Sequence, residues 1–310
     1  MIKNFEDIKL LLGNGKTERR IAVVAANDEH TIEAVALSVR GGLARPVLLG
    51  ETAEIKTLLE KYECPLGMVE IIPAAGTEEA ALLAAGMVKE GTVNCIMKGG
   101  IETGSFMRVL VNRETGIRKR DTMSLLAFME SPYYHKVFAI TDVGLLTYPS
   151  LDQKQQAIKN AVEAFSLLGI KTPKVAVLAA VEKVNPKMPG SVDAGELKER
   201  AGTGEIPGCI LEGPISYDLA MEKGAAEIKN YESPVAGDAD ILVVSNITAG
   251  NILAKALTTT GGAKTCGVVL GAMVPLILTS RSATVDDKYM SIALSVLIGS
   301  AQQAGNHEKA

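Results

Sequence analysis

The sequence predicts an α/β protein with a mainly parallel sheet and helices on both of its faces. Three observations support this. Short apolar runs of strand length alternate with longer helical stretches along nearly the whole chain. The run Leu276-Ile277-Leu278 is continuously apolar, as suits a strand covered on both faces. The 310 residues, 47% hydrophobic and 22% charged, supply core for two domains rather than one.

The elements follow in order. A short helix is expected around Phe5 to Leu12, then a strand Arg20–Ala26 and a helix Asp28–Val39. Pro46–Gly50 precedes the helix Thr52–Lys61, Val69–Ile72 precedes the Ala-rich helix Glu78–Val88, and Asn94–Met97 is the fourth strand. Lys98-Gly99-Gly100 after it lacks the spacing of a Walker loop or a G-x-G-x-x-G fingerprint. Lys136–Val143 is a strand before the long helix Leu151–Leu168. Lys174–Ala180 and Cys209–Leu211 continue the pattern around a helix Val192–Glu199, with Glu182–Gly190 as a polar loop. Asp240–Ser245 leads into a helix opened by Asn246, and Cys266–Leu270 precedes the last strand. No repeat or Pro-rich linker marks a boundary, so it is placed by topology. The chain crosses at Glu130–Tyr134 and the final helix returns, giving a first domain of 1–131 plus 288–310 and a second of 132–287.

The totals exclude several function classes. Lys plus Arg is 32 against 36 for Asp plus Glu, and a net charge of -4 offers no global attraction to nucleic acid or an anionic membrane. No uncharged run approaches the ~20 residues of a membrane span, and the amino terminus has no signal-peptide core, so a cytoplasmic location is expected. Cys64, Cys95, Cys209 and Cys266 are far apart, without zinc or disulfide spacing, and three of them lie in apolar runs as core fillers. With only His30, His135 and His307, neither a Ser-His-Asp triad nor a two-histidine metal site is easily assembled, and no G-x-S-x-G elbow is present. What remains is hydroxyls, carboxylates, arginines and helix termini, a set suited to holding phosphate and positioning two substrates for direct transfer.

Three places carry that equipment. Pro275 to Asp287 runs from a buried strand through Thr279, Ser280, Arg281 and Ser282 into a helix with Tyr289, Ile292, Ala293, Val296 and Leu297 on its apolar side. Thr284-Val-Asp-Asp287 fits a capping box with Asp in place of Glu, so Asp287 has a structural reason to be there. At Asn246-Ile-Thr-Ala-Gly-Asn251 the small residues Thr248, Ala249 and Gly250 let backbone N–H groups approach an anion at a helix amino terminus. An unliganded N-cap is the plain alternative. Between Arg108 and Arg120 five basic residues face one acid, Glu114. Most such runs face water, but Arg108, after Gly104 and Ser105 in the expected first helical turns, is placed to look toward a strand's carboxyl end.

Seven ordered motifs resemble the phosphate acyltransferase family, the phosphotransacetylases and phosphotransbutyrylases, over nearly the whole chain. They are Met97-Lys-Gly-Gly100, Thr122-Met-Ser124, Thr141-Asp142, Asn185-Pro-Lys-Met-Pro189, Gly213-Pro214, Ala239-Asp-Ile241 with Asn246 and Gly250-Asn251, and Leu278-Thr-Ser-Arg281. The butyryl branch is the more similar. The resemblance implies a two-domain fold like that of isocitrate and isopropylmalate dehydrogenases, with an interdomain active-site cleft. It implies a homodimer or higher homo-oligomer, and the reaction of acyl-CoA with phosphate to give acyl phosphate and CoA. Coenzyme A is then a substrate, and no cofactor or metal is implied. By the same resemblance Ser280 orients the CoA thiol, Arg281 and Arg108 bind phosphate, and Asp287 falls where acetyl-type members carry a proposed general base. Lys98, Asn246 and Asn251 fall in matching motifs and join Ser280 as substrate or CoA contacts, while Thr248 and Gly250 join the phosphate group. Acetyl-type members carry a glycine after the Ser-Arg pair where this chain has Ser282, and butyryl-type members need not keep the aspartate. Phosphate acetyl transfer is the alternative reading. A metal- and NAD-dependent hydroxy-acid dehydrogenase is a more distant one.

Overall fold

β-branched and aliphatic residues dictate the first strand: in Arg20-Ile-Ala-Val-Val24 every residue after the arginine is buried, as suits a pleated surface covered on both faces. The computed structural model describes residues 2–13, 19–280 and 283–307. In chain order its elements are α1 (Phe5–Leu12), β1 (Arg20–Val24), α2 (Glu29–Arg40), β2 (Arg45–Gly50), α3 (Thr52–Lys61), β3 (Glu70–Pro73), α4 (Thr77–Lys89), β4 (Cys95–Lys98), α5 (Thr103–Leu110), β5 (Ser124–Glu130), β6 (Phe138–Thr141), α6 (Leu151–Leu167), β7 (Lys174–Leu178), α7 (Pro189–Gly202), β8 (Ile210–Ile215), α8 (Tyr217–Met221), α9 (Lys223–Ile228), β9 (Ile241–Val243), α10 (Ile247–Thr259), β10 (Lys264–Leu270), β11 (Leu276–Ile277) and α11 (Val285–His307).

Two compact units emerge, one of Met1–Phe5 with Ser124–Thr265, the other of Glu6–Met123 with Cys266–Ala310. In the second, the strands run in the order β3-β2-β1-β4-β11-β10. All neighbours are parallel except the antiparallel pair β10 and β11. Its core is built from fully buried Ile21, Val23, Leu48, Ile96, Leu276 and Ile277, and α11 adds Ile292 and Val296. In the other unit the order is β5-β6-β9-β7-β8, with β5 antiparallel to β6 and the rest parallel. Phe138, Ile140, Ala176, Leu242 and Leu219 fill its core, and Leu253, Ala254 and Leu257 of α10 pack against them.

The structure departs from the sequence expectation in a few elements. β5 is an added strand: Ser124-Leu-Leu-Ala-Phe-Met-Glu130 has no β-branched residue, so propensity does not mark it, and burial on the sheet decides it. α7 begins at Pro189, inside the expected polar loop, because the fixed φ of proline suits a first helical position. β8 runs on through Glu212-Gly-Pro-Ile215, and the short helices α8 and α9 follow it. α11 is the longest helix and continues to His307. No helix among the described residues is long and apolar enough to cross a membrane.

Candidate active site

In the unit holding β1, β4 and β11, these three parallel strands lie side by side, and ligands of such sheets bind beyond their carboxyl ends. The chain leaves β1 through Ala25, which takes a left-handed φ of 53°, then Asn27 and Asp28. It leaves β4 through Gly99 and Gly100, whose amides donate to Val24 O at 2.9 Å and Ala25 O at 2.7 Å. A Cβ on Gly99 would run into the carbonyl oxygens of Ala25 and Val24, so only glycine lets the two exits lie this close. Lys98 turns back on this loop, its Nζ donating to Gly99 O at 3.1 Å and Ile101 O at 2.9 Å. Arg108 follows in the second and last turn of α5, a helix of only eight residues. It is exposed, and its side chain makes no hydrogen bond or ion pair among the described residues.

β11 ends two residues earlier than Thr279, and Ser280 is exposed beyond it, its carbonyl accepting from the Ala283 amide at 3.1 Å. Arg281 and Ser282 lie outside the described residues. Thr284 and Asp287 then form a reciprocal cap: the Asp287 amide donates to Thr284 Oγ1 and the Thr284 amide to Asp287 Oδ2, both at 3.1 Å. The other carboxylate oxygen of this half-buried residue has no bond among the described residues. Lys288, next in the chain, is 4% exposed. Its Nζ reaches Asp28 Oδ1 at 2.9 Å and Thr31 Oγ1 at 3.0 Å. Asp28 is the N-cap of α2 and also accepts the Thr31 amide at 2.8 Å and the Thr31 hydroxyl. Burial alone would raise the Asp28 carboxyl, but the hydrogen bonds from Thr31 and the Lys288 ammonium outweigh it and hold its pKa below the ordinary value.

In the other unit the amino terminus of α10 gathers a second set. Asn246 caps the helix, its Oδ1 accepting from the Ala249 amide at 3.1 Å, and its carbonyl takes the Gly250 amide at 3.1 Å. Those two N–H groups are therefore engaged within the turn, and the exposed Thr248 is the first-turn residue whose amide has no bond among the described residues. Gly250 is buried against the chain after β6: a Cβ there would stand 2.5 Å from Asp142 O and 2.9 Å from Val244 Cγ2. Asn251 donates from Nδ2 to Val143 O at 3.2 Å. Asp142 organises the same turn, its carboxylate accepting from the amides of Leu125 (2.6 Å), Gly144 (2.8 Å) and Leu145 (2.6 Å). An open groove of about 620 Å³ runs along α10, with Asn246 and Thr248 at its polar end and Tyr148, Ile252, Leu253 and Ala256 on its apolar wall.

Lys98, Arg108, Ser280, Asp287 and the residues at the start of α10 lie in a region that matches a known family. Residues 74–296 fit the family model described as "Phosphate acetyl/butaryl transferase". The chain is 37% identical over 298 residues to the phosphate butyryltransferase of Clostridium acetobutylicum, covering 96% of this chain and 99% of that one. It is 40% identical over 290 residues to the phosphate acetyltransferase of Thermotoga maritima, covering 94% and 97%. The chain belongs to the phosphate acyltransferase family. Among solved structures, a branched-chain phosphotransacylase from Enterococcus faecalis V583 superposes with a TM-score of 0.80 at 28% identity, covering 91% of this chain and 99% of that one.

Within this phosphate acyltransferase fold, the structure gathers Lys98, Ser280 and Asp287 around neighbouring strand ends and helix starts of one unit, with Arg108 on the helix after β4. It gathers Asn246, Thr248, Gly250 and Asn251 at the amino-terminal end of α10 in the other. Sequence reasoning missed Asp28, Thr31 and Lys288, whose contacts span about 260 residues, and it gave Asp142 no role. The one signal for Asp28 was its place at the start of a helix after the first strand. Arg118 of the basic loop pairs with Asp121 at 2.7 Å, and its neighbour Lys119 faces water.

Proposed function

We propose that this member of the phosphate acyltransferase family interconverts acyl-CoA plus phosphate with acyl phosphate plus CoA, on a butyryl or similar short or branched acyl group, by direct thiolate attack in a ternary complex. The observation that carries the reading is the junction between β11 and α11 inside the matched span. Ser280 stands exposed beyond a buried strand, and a helix capped by Thr284 opens at Val285. In this reading Ser280 orients the CoA thiol, and Arg281 and the exposed Arg108 bind phosphate through guanidinium forks. Thr248 and the positive end of α10, with Gly250 allowing close approach, add phosphate donors, while Lys98, Asn246 and Asn251 position substrate. In the thioester-forming direction, the C–S bond forms as the carbonyl bond to phosphate oxygen breaks, phosphate leaves, and the thiol proton passes to the open oxygen of Asp287. A free thiol of pKa roughly 8.5 is mostly protonated at neutral pH, which gives that carboxylate its work. No resident cofactor takes part, and coenzyme A is a substrate.

The test is direct. Acyl phosphate and CoA mixed with the protein should give thioester absorbance. If none appears, while NAD with a hydroxy acid yields reduced cofactor, the proposal is lost to a dehydrogenase. The 40% identity to an acetyltransferase favours acetyl transfer as the second reading. Rates with acetyl-, butyryl- and isobutyryl-CoA separate the two, since each methylene is worth only about 0.8 kcal/mol of burial. We extend the proposal to a homodimer or higher homo-oligomer in the cytoplasm. Support comes from α10, whose 13 residues bury only Gly250 and leave Ile252 63% exposed. Ile252→Glu should lower the mass measured by light scattering, and an unchanged mass would remove α10 from the interface.

A further inference from the structure

A lysine that is 4% exposed and sits one residue past the candidate base needs an explanation. Lys288 does not serve to cap α2, because Asp28 already does so through the Thr31 amide at 2.8 Å. A buried ion pair is also seldom the most stabilising choice, since apolar residues of the same volume often do as well or better. What the pair does fix is position. The Lys288 amide closes the first turn of α11 on Thr284 O at 3.1 Å, while its ammonium is held at 2.9 Å by Asp28 and 3.0 Å by Thr31. One residue thus joins the start of α11 to the start of α2, which follows β1. Asp287, its neighbour, keeps one carboxylate oxygen on the cap and the other open. Lys288 cannot move without carrying that turn, and Ser280 is bonded into the same approach through the Ala283 amide.

We infer that Lys288, held by Asp28 and Thr31, is a positioning residue for the phosphate acyltransferase reaction. It pins the first turn of α11 so that Ser280 and Asp287 meet the thiol in register with phosphate. The inference rests on the reading of that turn as the reaction site. A misplacement of about 1 Å can cost roughly a hundredfold in rate, so loss of the pin should be plain in the kinetics.

The experiment compares Lys288→Met, Lys288→Arg and the double variant Asp28→Asn with Lys288→Met, using butyryl-CoA and inorganic phosphate, and reads each KM, kcat and Tm. Asn at 28 keeps the α2 cap, so the double variant removes both charges without uncapping that helix. Lys288→Met should lower kcat about tenfold or more and raise KM for butyryl-CoA as well as for phosphate, since the turn it holds carries residues read as meeting both substrates. The double variant should recover Tm, having no unpaired buried charge, yet keep the raised KM. Lys288→Arg should restore part of the loss. Because KM reports on whatever fraction is folded, a destabilised variant still answers. Unchanged KM values in Lys288→Met, or full kinetic recovery in the double variant, would overturn the inference and leave Lys288 a core charge. Ser280→Ala tells the two failures apart. If Ser280→Ala is impaired and Lys288→Met is not, only the positioning role falls, whereas wild-type kinetics in Ser280→Ala remove the site reading and this inference with it.

Discussion

Replacing Asp287 by Asn separates the two jobs this residue can do. The amide oxygen of Asn still accepts the Thr284 N–H, which Asp287 Oδ2 takes at 3.1 Å, and the return bond from its own amide to Thr284 Oγ1 is untouched. What is lost is a negative charge in the first turn of the 23-residue α11, worth about 0.3–1 kcal/mol against the helix dipole. That amounts to a Tm shift of no more than ~4 °C. If the open oxygen takes the thiol proton, the same change removes a general base, which typically contributes about 10²–10⁴-fold. Rate and stability should therefore part company: kcat falls by about two orders of magnitude or more while Tm scarcely moves, and the acid limb of the pH–rate profile disappears. Thr284→Ala is the mirror image. It removes the N-cap hydroxyl at a cost of about 0.5–2 kcal/mol and should cost far less in rate. Thioester formation by stopped flow and calorimetric melting measure both. An Asp287→Asn enzyme with wild-type kcat and an unaltered pH profile would refute the base assignment and reduce the residue to its cap.

Other perturbations test the scaffold. Lys136, 5% exposed, holds Asp238 at 2.8 Å and Asp240 at 2.7 Å, so Lys136→Met should cost about 3–5 kcal/mol in denaturant melts, and a loss under about 1 kcal/mol would show the network to be dispensable. Burial would raise the Asp238 carboxyl, but Lys136, Lys174 and His135 outweigh it and hold its pKa well below the ordinary 3.8. Its stabilisation is thus complete above that ordinary value and is lost as pH falls from there toward the depressed one. Asp238→Asn should flatten the acid limb of the stability curve. Gly250→Ala would force a Cβ to 2.5 Å from Asp142 O and 3.2 Å from Val143 Cα, so about 1–3 kcal/mol of overpacking strain should accompany a fall in activity, and a silent substitution would contradict the close packing.

How much of this was legible depended on distance along the chain. The cap at Thr284 and Asp287 could be read because both partners lie within four residues, and the Asn246 cap for the same reason. The strands around Val23, Leu48 and Leu276 announced themselves as buried apolar runs. β5 did not, since Leu, Ala, Phe and Met serve helices equally well and only antiparallel pairing with β6 decides their state. Arg108 could be placed on the helix after β4 but the end of that helix could not, because α5 stops after eight residues and boundaries are set by packing rather than composition. Asp28 with Lys288 was invisible for a different reason. Nothing local links residues 260 apart, and a buried lysine in an apolar helix looks like any solvated one until its partner is known.

The interleaving of the two units has a consequence for how the protein is made. Glu6–Met123 is separated from Cys266–Ala310 by the whole of the other unit, so on the ribosome β4 waits for its parallel partner β11 until Leu276 has been synthesised. During that interval one side of β4 is an open strand edge, a site where nascent chains stick to one another. Ser280, Asp287 and the lysine that pins their turn are made later still. A nascent chain halted before Leu276 carries an exposed edge and no chemistry at this junction, so the site is completed only after the sheet.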